Sequence, residues 1–367
     1  MKVYKINYLL TYILIFLFSN CSNREINHKK LSINKNEVRK DCIKILSPLR
    51  NSNNKTSGKF ILKISTIDSI HLDSVKCIID DFIIDFHSIK ANTFEKEITF
   101  KPIKTGNNPV KIISFFQDSI KEIDYTEIVV ISDLIPEQYT YKILRTFEHQ
   151  KNAYTQGLVY ENGIIYEGTG AWGESRLMKY LPGEMKPQSE IYIDPGLFGE
   201  GIEVFDNKII QLTYKAHKGF IYNKETFEKI QEFSFPYNEG WGITFDGDRF
   251  IMSDGTNNLY FLDKQYYTET GRIEVYDNEG AVDSINELEY VNGEIYANIY
   301  RKNKIVVIDP KSGKILENID MSGLLSPIDY HDKIDVLNGI AYNSTTNSFF
   351  VTGKYWPKMF EVKFIKK

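Results

Sequence analysis

The sequence predicts an all-β protein, a small Ig-like β-sandwich followed by a five-bladed β-propeller. Three observations lead there. An outline of two short strands around a turn recurs five times in the C-terminal part of the 367-residue chain, at near-constant spacing. The stretch before it consists of short alternating runs with no helical period. Aromatic residues make up 14%, with 24 Tyr and 23 Phe, and such side chains suit a pleated, half-buried surface. The length allows two domains with proper cores. A net charge of −4, with both signs interspersed, offers no basic field for nucleic acid.

The chain opens on a targeting segment. Residues 1–7 carry Lys2 and Lys5, and residues 8–18 (YLLTYILIFLF) are an apolar run shorter than the ~20 residues of a membrane span. The run ends in FSNC, placing Cys21 where bacterial lipoprotein signals carry the lipidated cysteine, although Asn20 is bulkier than the small residue usual before it. The expectation is a lipoprotein signal over residues 1–20 and a lipid on Cys21. The protein would then be extracytoplasmic and membrane-anchored, with an uncleaved N-terminal anchor as the alternative. Residues 21–36 are polar and read as a tether.

Residues 37–134 supply the sandwich. KFILKIST, VKCIID, FIIDFHS, EKEITFKPI, PVKIISFFQD and YTEIVVIS are strand-like, and turn signals such as KTGNNP separate them. Cys42 and Cys77 fall here. An oxidising compartment permits a disulfide between them, and a free pair is equally open. Neither has the companions of a zinc site or a catalytic thiol. The segment DLIPEQYT marks the boundary.

Residues 135–367 carry the repeats. Each begins with a lead residue, then Gly or Glu, then Leu or Ile, one further residue and, in all but the second, Tyr or Phe. The leads are Gln156, Glu200, Trp241, Asn286 and Asn338, spaced 44, 41, 45 and 52 residues apart. A period of roughly 40–50 residues containing several strands is a propeller signature. Third strands (RLMKYL, GFIYN, NLYFLD, KIVVIDP, MFEVKF) complete the units, with fourth strands (EIYID, KIQEFSF, RIEVYD, KILENID) in all but the last. YKILRTF, ahead of the first repeat, can supply the missing strand and close the ring, removing the sheet edges. Innermost strands line a central channel, so the five leads are expected in one ring at its mouth.

Among them Glu200 is the one ionisable lead. A carboxyl partly desolvated among aromatic side chains gains pKa and becomes suited to moving protons near neutral pH. Gln156 and Asn286 can orient an amide or stabilise an oxyanion. Alternatively, such residues only satisfy strand-end backbone groups. Lys354 lies on the second strand of the last repeat, while Tyr214 and Tyr300 hold the same place in others and can wall a pocket or simply pack the blades. The six histidines show no ligand spacing, and no Gly-x-Ser-x-Gly, phosphate loop or Cys-x-x-Cys occurs. Read this way, the protein is an enzyme, a non-catalytic surface receptor for peptide or glycan, or a metal-dependent propeller hydrolase such as a lactonase.

The blocks YTQGLVYENGIIYEGTGAWGESRL, LFGEGIEVFDNKIIQLTYK, EGWGITFDGDRFIMSDGT, INELEYVNGEIYANIY and VLNGIAYNSTTNSFFVTGKYWPKMFEV resemble the plant-type glutaminyl-peptide cyclotransferases, which also occur in bacteria. The resemblance covers about residues 138–366. It implies a five-bladed propeller acyltransferase that turns the N-terminal glutamine of peptides or proteins into pyroglutamate with release of ammonia. No metal is implied for catalysis; a structural metal ion on the propeller axis is allowed, though no ligands for it are identifiable. Carried over motif by motif, the catalytic carboxylate falls on Glu200, the amide contacts on Gln156 and Asn286, and the lysine on Lys354. The pocket tryptophan falls on Trp241 and an aromatic neighbour of the carboxylate on Phe198. Tyr214 and Tyr300 stand where the family usually has tryptophan, and Tyr154 where it has phenylalanine. The wall stays aromatic and gains hydroxyls, which bears on substrate preference and rate. A monomer is expected.

Overall fold

The structure, a computed structural model, describes residues 42–50, 54–67, 70–116 and 120–367. The predicted signal, the lipidation site Cys21 and the tether lie outside the described residues. Two antiparallel-rich sheets come first. Ile43–Ser47, Lys59–Thr66 and Thr93–Thr99 form one. Lys55–Thr56, Ile120–Val130, Gly106–Phe116, Leu72–Ile79 and Phe82–Ala91 form the other, in that order. Alternation puts Leu62, Ile64, Phe94 and Ile98 of the first sheet against Val75, Ile112 and Ile128 of the second in one dry core. All six runs read from the sequence are strands. Ile43–Ser47 and Lys55–Thr56 are additional, being too short to carry a periodic signal. Cys42 and Cys77 are buried in this core with no disulfide between them, and burial pushes the Cys77 thiol up to about 12.

This sandwich is fastened to the outer side of the third and fourth repeats. Thr105 N–H donates to Ser312 O (2.8 Å) and Ser132 N–H to Asp277 O (3.0 Å). Asn107 N–H donates to Glu274 Oε1 (3.1 Å), and Lys314 pairs with Asp133.

The repeats fold as four-stranded meanders. Thr155–Glu161, Ile164–Thr169, Arg176–Tyr180 and Ser189–Tyr192 form the first. Gly199–Phe205, Lys208–Thr213, Lys218–Asn223 and Lys229–Ser234 form the second. Ile243–Phe245, Arg249–Ser253, Asn258–Asp263 and Glu269–Glu274 form the third. The last two repeats, from Ile285–Val291 and from Leu337–Asn343, share one eight-stranded sheet. Its seam is Glu137–Glu148, which pairs antiparallel with Lys358–Lys366 and, through residues 137–139, parallel with Ile315–Asp320. The segment ahead of the first repeat therefore supplies the last repeat's outer strand. The innermost strands touch in cyclic order, each meeting the next and the last meeting the first.

The crowding of these strands explains the second position of the repeat. A Cβ on Gly157 would collide with the backbone N of Ile202, and one on Gly242 with the backbone O of Asn286. Only the fourth repeat breaks the pattern, with Glu287. That carboxyl is buried and accepts from Ile340 N–H (2.8 Å) and Leu158 N–H (3.2 Å), amides of two other innermost strands. Glu289 similarly accepts from Tyr342 N–H (2.8 Å). Adjacent innermost strands are not sheet partners, so these carboxyls satisfy strand-edge donors that water cannot reach.

A second buried network braces the first repeat. Glu167 accepts from Tyr180 Oη (2.6 Å), Thr155 Oγ1 (2.7 Å) and His149 Nε2 (3.2 Å), and His149 Nδ1 faces Trp356 O (2.8 Å). Burial opposes charge on both groups, yet their mutual attraction and hydrogen bond raise the His149 pKa and lower that of Glu167. The histidine's share of stability is complete below its ordinary 6.5 and fades as pH rises through its raised value. The carboxylate's share is complete above 4.5 and fades as pH falls through its lowered value. Glu167→Gln strips a buried imidazolium of its partner and should destabilise by about 3–5 kcal/mol. The loss should be largest between pH 4.5 and 6.5, as a pH series of thermal melts would show.

Candidate active site

Irregularities in the inner strand pairs set the site. Register shifts occur between Thr155 and Gly157, Gly199 and Ile202, Ile285 and Leu288, and Leu337 and Ile340, at the lead residue of four repeats. A bulge leaves an extra residue unpaired and re-aims side chains, here toward one end of the axis. In the third repeat Trp241 precedes the strand and is tied by its N–H to Ser253 O (3.0 Å).

At that end lies a cavity of about 190 Å³. Gln156, Glu200, Trp241 and Asn286 reach it from the leads. Tyr214, Tyr300 and Lys354 reach it from just beyond the second strands, and Tyr154 and Phe198 from just before the first. The nine residues singled out in the sequence for catalysis or substrate contact thus stand around a single space. Asn338 differs from expectation. It is fully buried beneath the cavity, its Nδ2 donating to Thr155 O (3.0 Å) and, more weakly, to Gln156 Oε1 (3.4 Å). The fifth lead supports its neighbour instead of lining the mouth.

Glu200 is 4% exposed. Burial drives its pKa well above the ordinary 4.5, the charge of Lys354 works against this, and Glu239 adds to it; no hydrogen bond from the described residues relieves the carboxyl. Lys354 is also buried, and its pKa is lowered by burial against the pull of Glu200 and Asp335. Its Nζ lies 4.6 Å from the ring centre of Tyr154 and 5.2 Å from that of Tyr300. Asn286 Oδ1 is a buried acceptor with no partner among the described residues.

The aromatic wall has two parts, with Lys354 between them. Phe198 meets Tyr214 at 5.7 Å and Tyr154 at 6.1 Å, and Trp241 meets Tyr300 edge-on at 5.4 Å. Two carboxylates that sequence reading missed hold it in place. Glu239 accepts from Trp241 Nε1 (2.9 Å) and pairs with Lys215 (3.4 Å). Asp335 accepts from the Tyr154 hydroxyl (3.0 Å), so the hydroxyl gained there is bound away from the cavity. Both acids precede their leads in loops that differ between repeats, and only their nearness to Trp241 and Asn338 in the chain hinted at a role.

Among the described residues no group of three or more His, Cys, Asp or Glu side chains could hold a metal ion. The axial acids Glu287 and Glu289 are engaged by backbone amides.

The family model for glutamine cyclotransferase matches residues 121–364. The glutaminyl-peptide cyclotransferase of Arabidopsis thaliana is 37% identical over 227 residues, spanning 60% of this chain and 70% of that protein. The crystal structure of Myxococcus xanthus glutaminyl cyclase superposes with a TM-score of 0.59 at 30% identity, covering 63% of this chain and 99% of that one. The chain belongs to the glutamine cyclotransferase family.

Proposed function

We propose that the chain is a glutaminyl-peptide cyclotransferase, an acyltransferase acting on peptides or proteins with N-terminal glutamine. Its scaffold is a five-bladed propeller over residues 135–367, preceded by an Ig-like sandwich over 37–134. The observation that carries the reading is a buried carboxyl, Glu200, with no hydrogen bond among the described residues, in a cavity lined also by the buried Lys354 and by Asn286.

In the reaction the substrate's α-amine nitrogen attacks the γ-carboxamide carbon. A new C–N bond closes a five-membered lactam, and the old C–N bond breaks to release ammonia. Proximity is built into the substrate, so the site has to fix the folded conformer and move one proton. Glu200, as carboxylate, takes it from the attacking amine and hands it to the departing nitrogen. Its raised pKa narrows the gap to a peptide α-amine, which titrates near ~7.7–8.0. Lys354 and the Gln156 amide donate to the carbonyl oxygen as it gains charge. Asn286 Oδ1 accepts a substrate N–H, and Trp241, Tyr214 and Tyr300 enclose the side chain against water.

No cofactor is needed for these steps. Lipidation at Cys21, an extracytoplasmic, membrane-anchored location and a monomeric state complete the proposal. Ammonia release from Gln-Ala, unchanged by EDTA, is the expected result. Absence of release would favour a binding module, and chelator-sensitive ester cleavage a hydrolase.

The charges flanking Glu200 give a sharper expectation. The base form is needed, so kcat/KM falls as pH drops through the Glu200 pKa. Lys354 holds that pKa down and Glu239 holds it up. The acid limb should therefore move to higher pH in Lys354→Met and to lower pH in Glu239→Gln. Limbs that stay put, or move together, would remove Glu200 from the pH profile.

A further inference from the structure

The cavity of about 190 Å³ is smaller than the roughly 300–1,000 Å³ of pockets that enclose drug-sized ligands, so it takes one side chain and leaves the next residue of a peptide at the mouth. Next to the lining residue Phe198 stands Trp172, 60% exposed, on the loop that follows the second strand of the first repeat. Its indole meets the Phe198 ring edge-on, with centres 5.6 Å apart, and Phe198 continues into Tyr214. One aromatic run thus leads from the cavity wall to the surface.

This loop is built to hold the indole there. Ala171 has φ of 120°, a left-handed value that a non-glycine residue adopts only where its surroundings fix it. The fixing bonds are visible. Ser175 Oγ donates to Ala171 O (2.7 Å) and accepts from Gly199 N–H (3.0 Å), next to Phe198 and Glu200. Glu174 N–H also donates to Ala171 O (3.1 Å). A Cβ on Gly170 would collide with the Phe198 ring, so ring and loop lie in direct contact. A large apolar side chain pinned in water beside a binding cavity is positioned to meet a ligand.

We propose that Trp172 is a specificity-determining platform for the side chain that follows the N-terminal glutamine, favouring an aromatic residue there. The inference rests on the cavity being the glutamine pocket. The stacked pair forms equally in substrate and transition state, so it should act on KM and not on kcat.

The test compares Gln-Phe with Gln-Gly in the full chain and in Trp172→Ala and Trp172→Phe, with equilibrium binding of both peptides to Glu200→Gln in the presence and absence of Trp172→Ala. Trp172→Ala should raise KM for Gln-Phe about three- to tenfold, the range of an aromatic pair, with kcat and the Gln-Gly constants unchanged. Trp172→Phe should restore most of the difference. Turnover of both peptides without any Trp172-dependent difference in KM or binding would overturn the platform alone. An equal rise in KM for both peptides would also overturn it, placing Trp172 in the glutamine pocket itself. A Trp172-dependent preference in binding without turnover of either peptide by the wild type would uphold the platform and overturn the cyclase reading.

Discussion

Glu200→Gln should lower kcat for ammonia release from Gln-Ala by about 10²–10⁴-fold, the range of positioned general acid–base catalysis. The substitution keeps shape and burial and removes only the ability to take and return a proton. Peptide binding should stay within about threefold of wild type, because Trp241, Tyr214 and Asn286 still form the cavity. Stability moves the other way. A carboxyl whose folded pKa is raised contributes fully below its ordinary 4.5, and the contribution is lost as pH rises through the raised value. Glutamine carries no such penalty, so at pH 8 the variant should melt no lower than wild type. An active variant, or an inactive one that also unfolds early, would contradict the role given to this residue. A buried carboxyl with no hydrogen bond among the described residues is maintained at the expense of stability, and its neutral isostere exposes that cost.

Glu287→Ala should be among the most destabilising substitutions in the repeats. It leaves the amides of Leu158 and Ile340 without their acceptor in a place closed to water, at about 1–3 kcal/mol each, and opens a void between innermost strands. Glu287→Gln keeps one acceptor oxygen and turns an NH2 toward the other amide, so its loss should be intermediate. Differential scanning calorimetry of the full chain would resolve the propeller transition from that of the sandwich. A transition shifted by less than about 2 °C in Glu287→Ala would show that the axial carboxyl is not holding the strands.

Much of the site was legible in the sequence because a propeller turns a one-dimensional period into a ring. Once Gln156, Glu200, Trp241 and Asn286 hold the same place in successive repeats, their convergence follows from topology. The second-strand residues Tyr214, Tyr300 and Lys354 follow for the same reason, since each repeat folds alike. The sequence also displayed the Gly after the lead in four repeats and the Glu in the fourth. Its cause, backbone crowding at Gly157 and Gly242 and the bridging carboxyl of Glu287, is a relation between strands far apart in the chain. Asn338 shares the frame of the other leads yet points beneath the cavity, because its amide is engaged by Thr155 O and Gln156 Oε1 across the joint between the last and first repeats. Glu239 and Asp335 escaped notice because loops carry no period. Whether Cys42 and Cys77 are joined was likewise undecided by spacing; the structure buries both in one core without a disulfide.

The pH dependence of kcat/KM for Gln-Ala, measured in wild type and in the residual activity of Glu200→Gln, bears most directly on the proton-relay mechanism. The wild type should show an acid limb from a single ionisation lying well above the ordinary glutamate value of 4.5, and that limb should be missing from the variant. A limb at the ordinary value, or one that survives unchanged in Glu200→Gln, would mean that another group moves the proton.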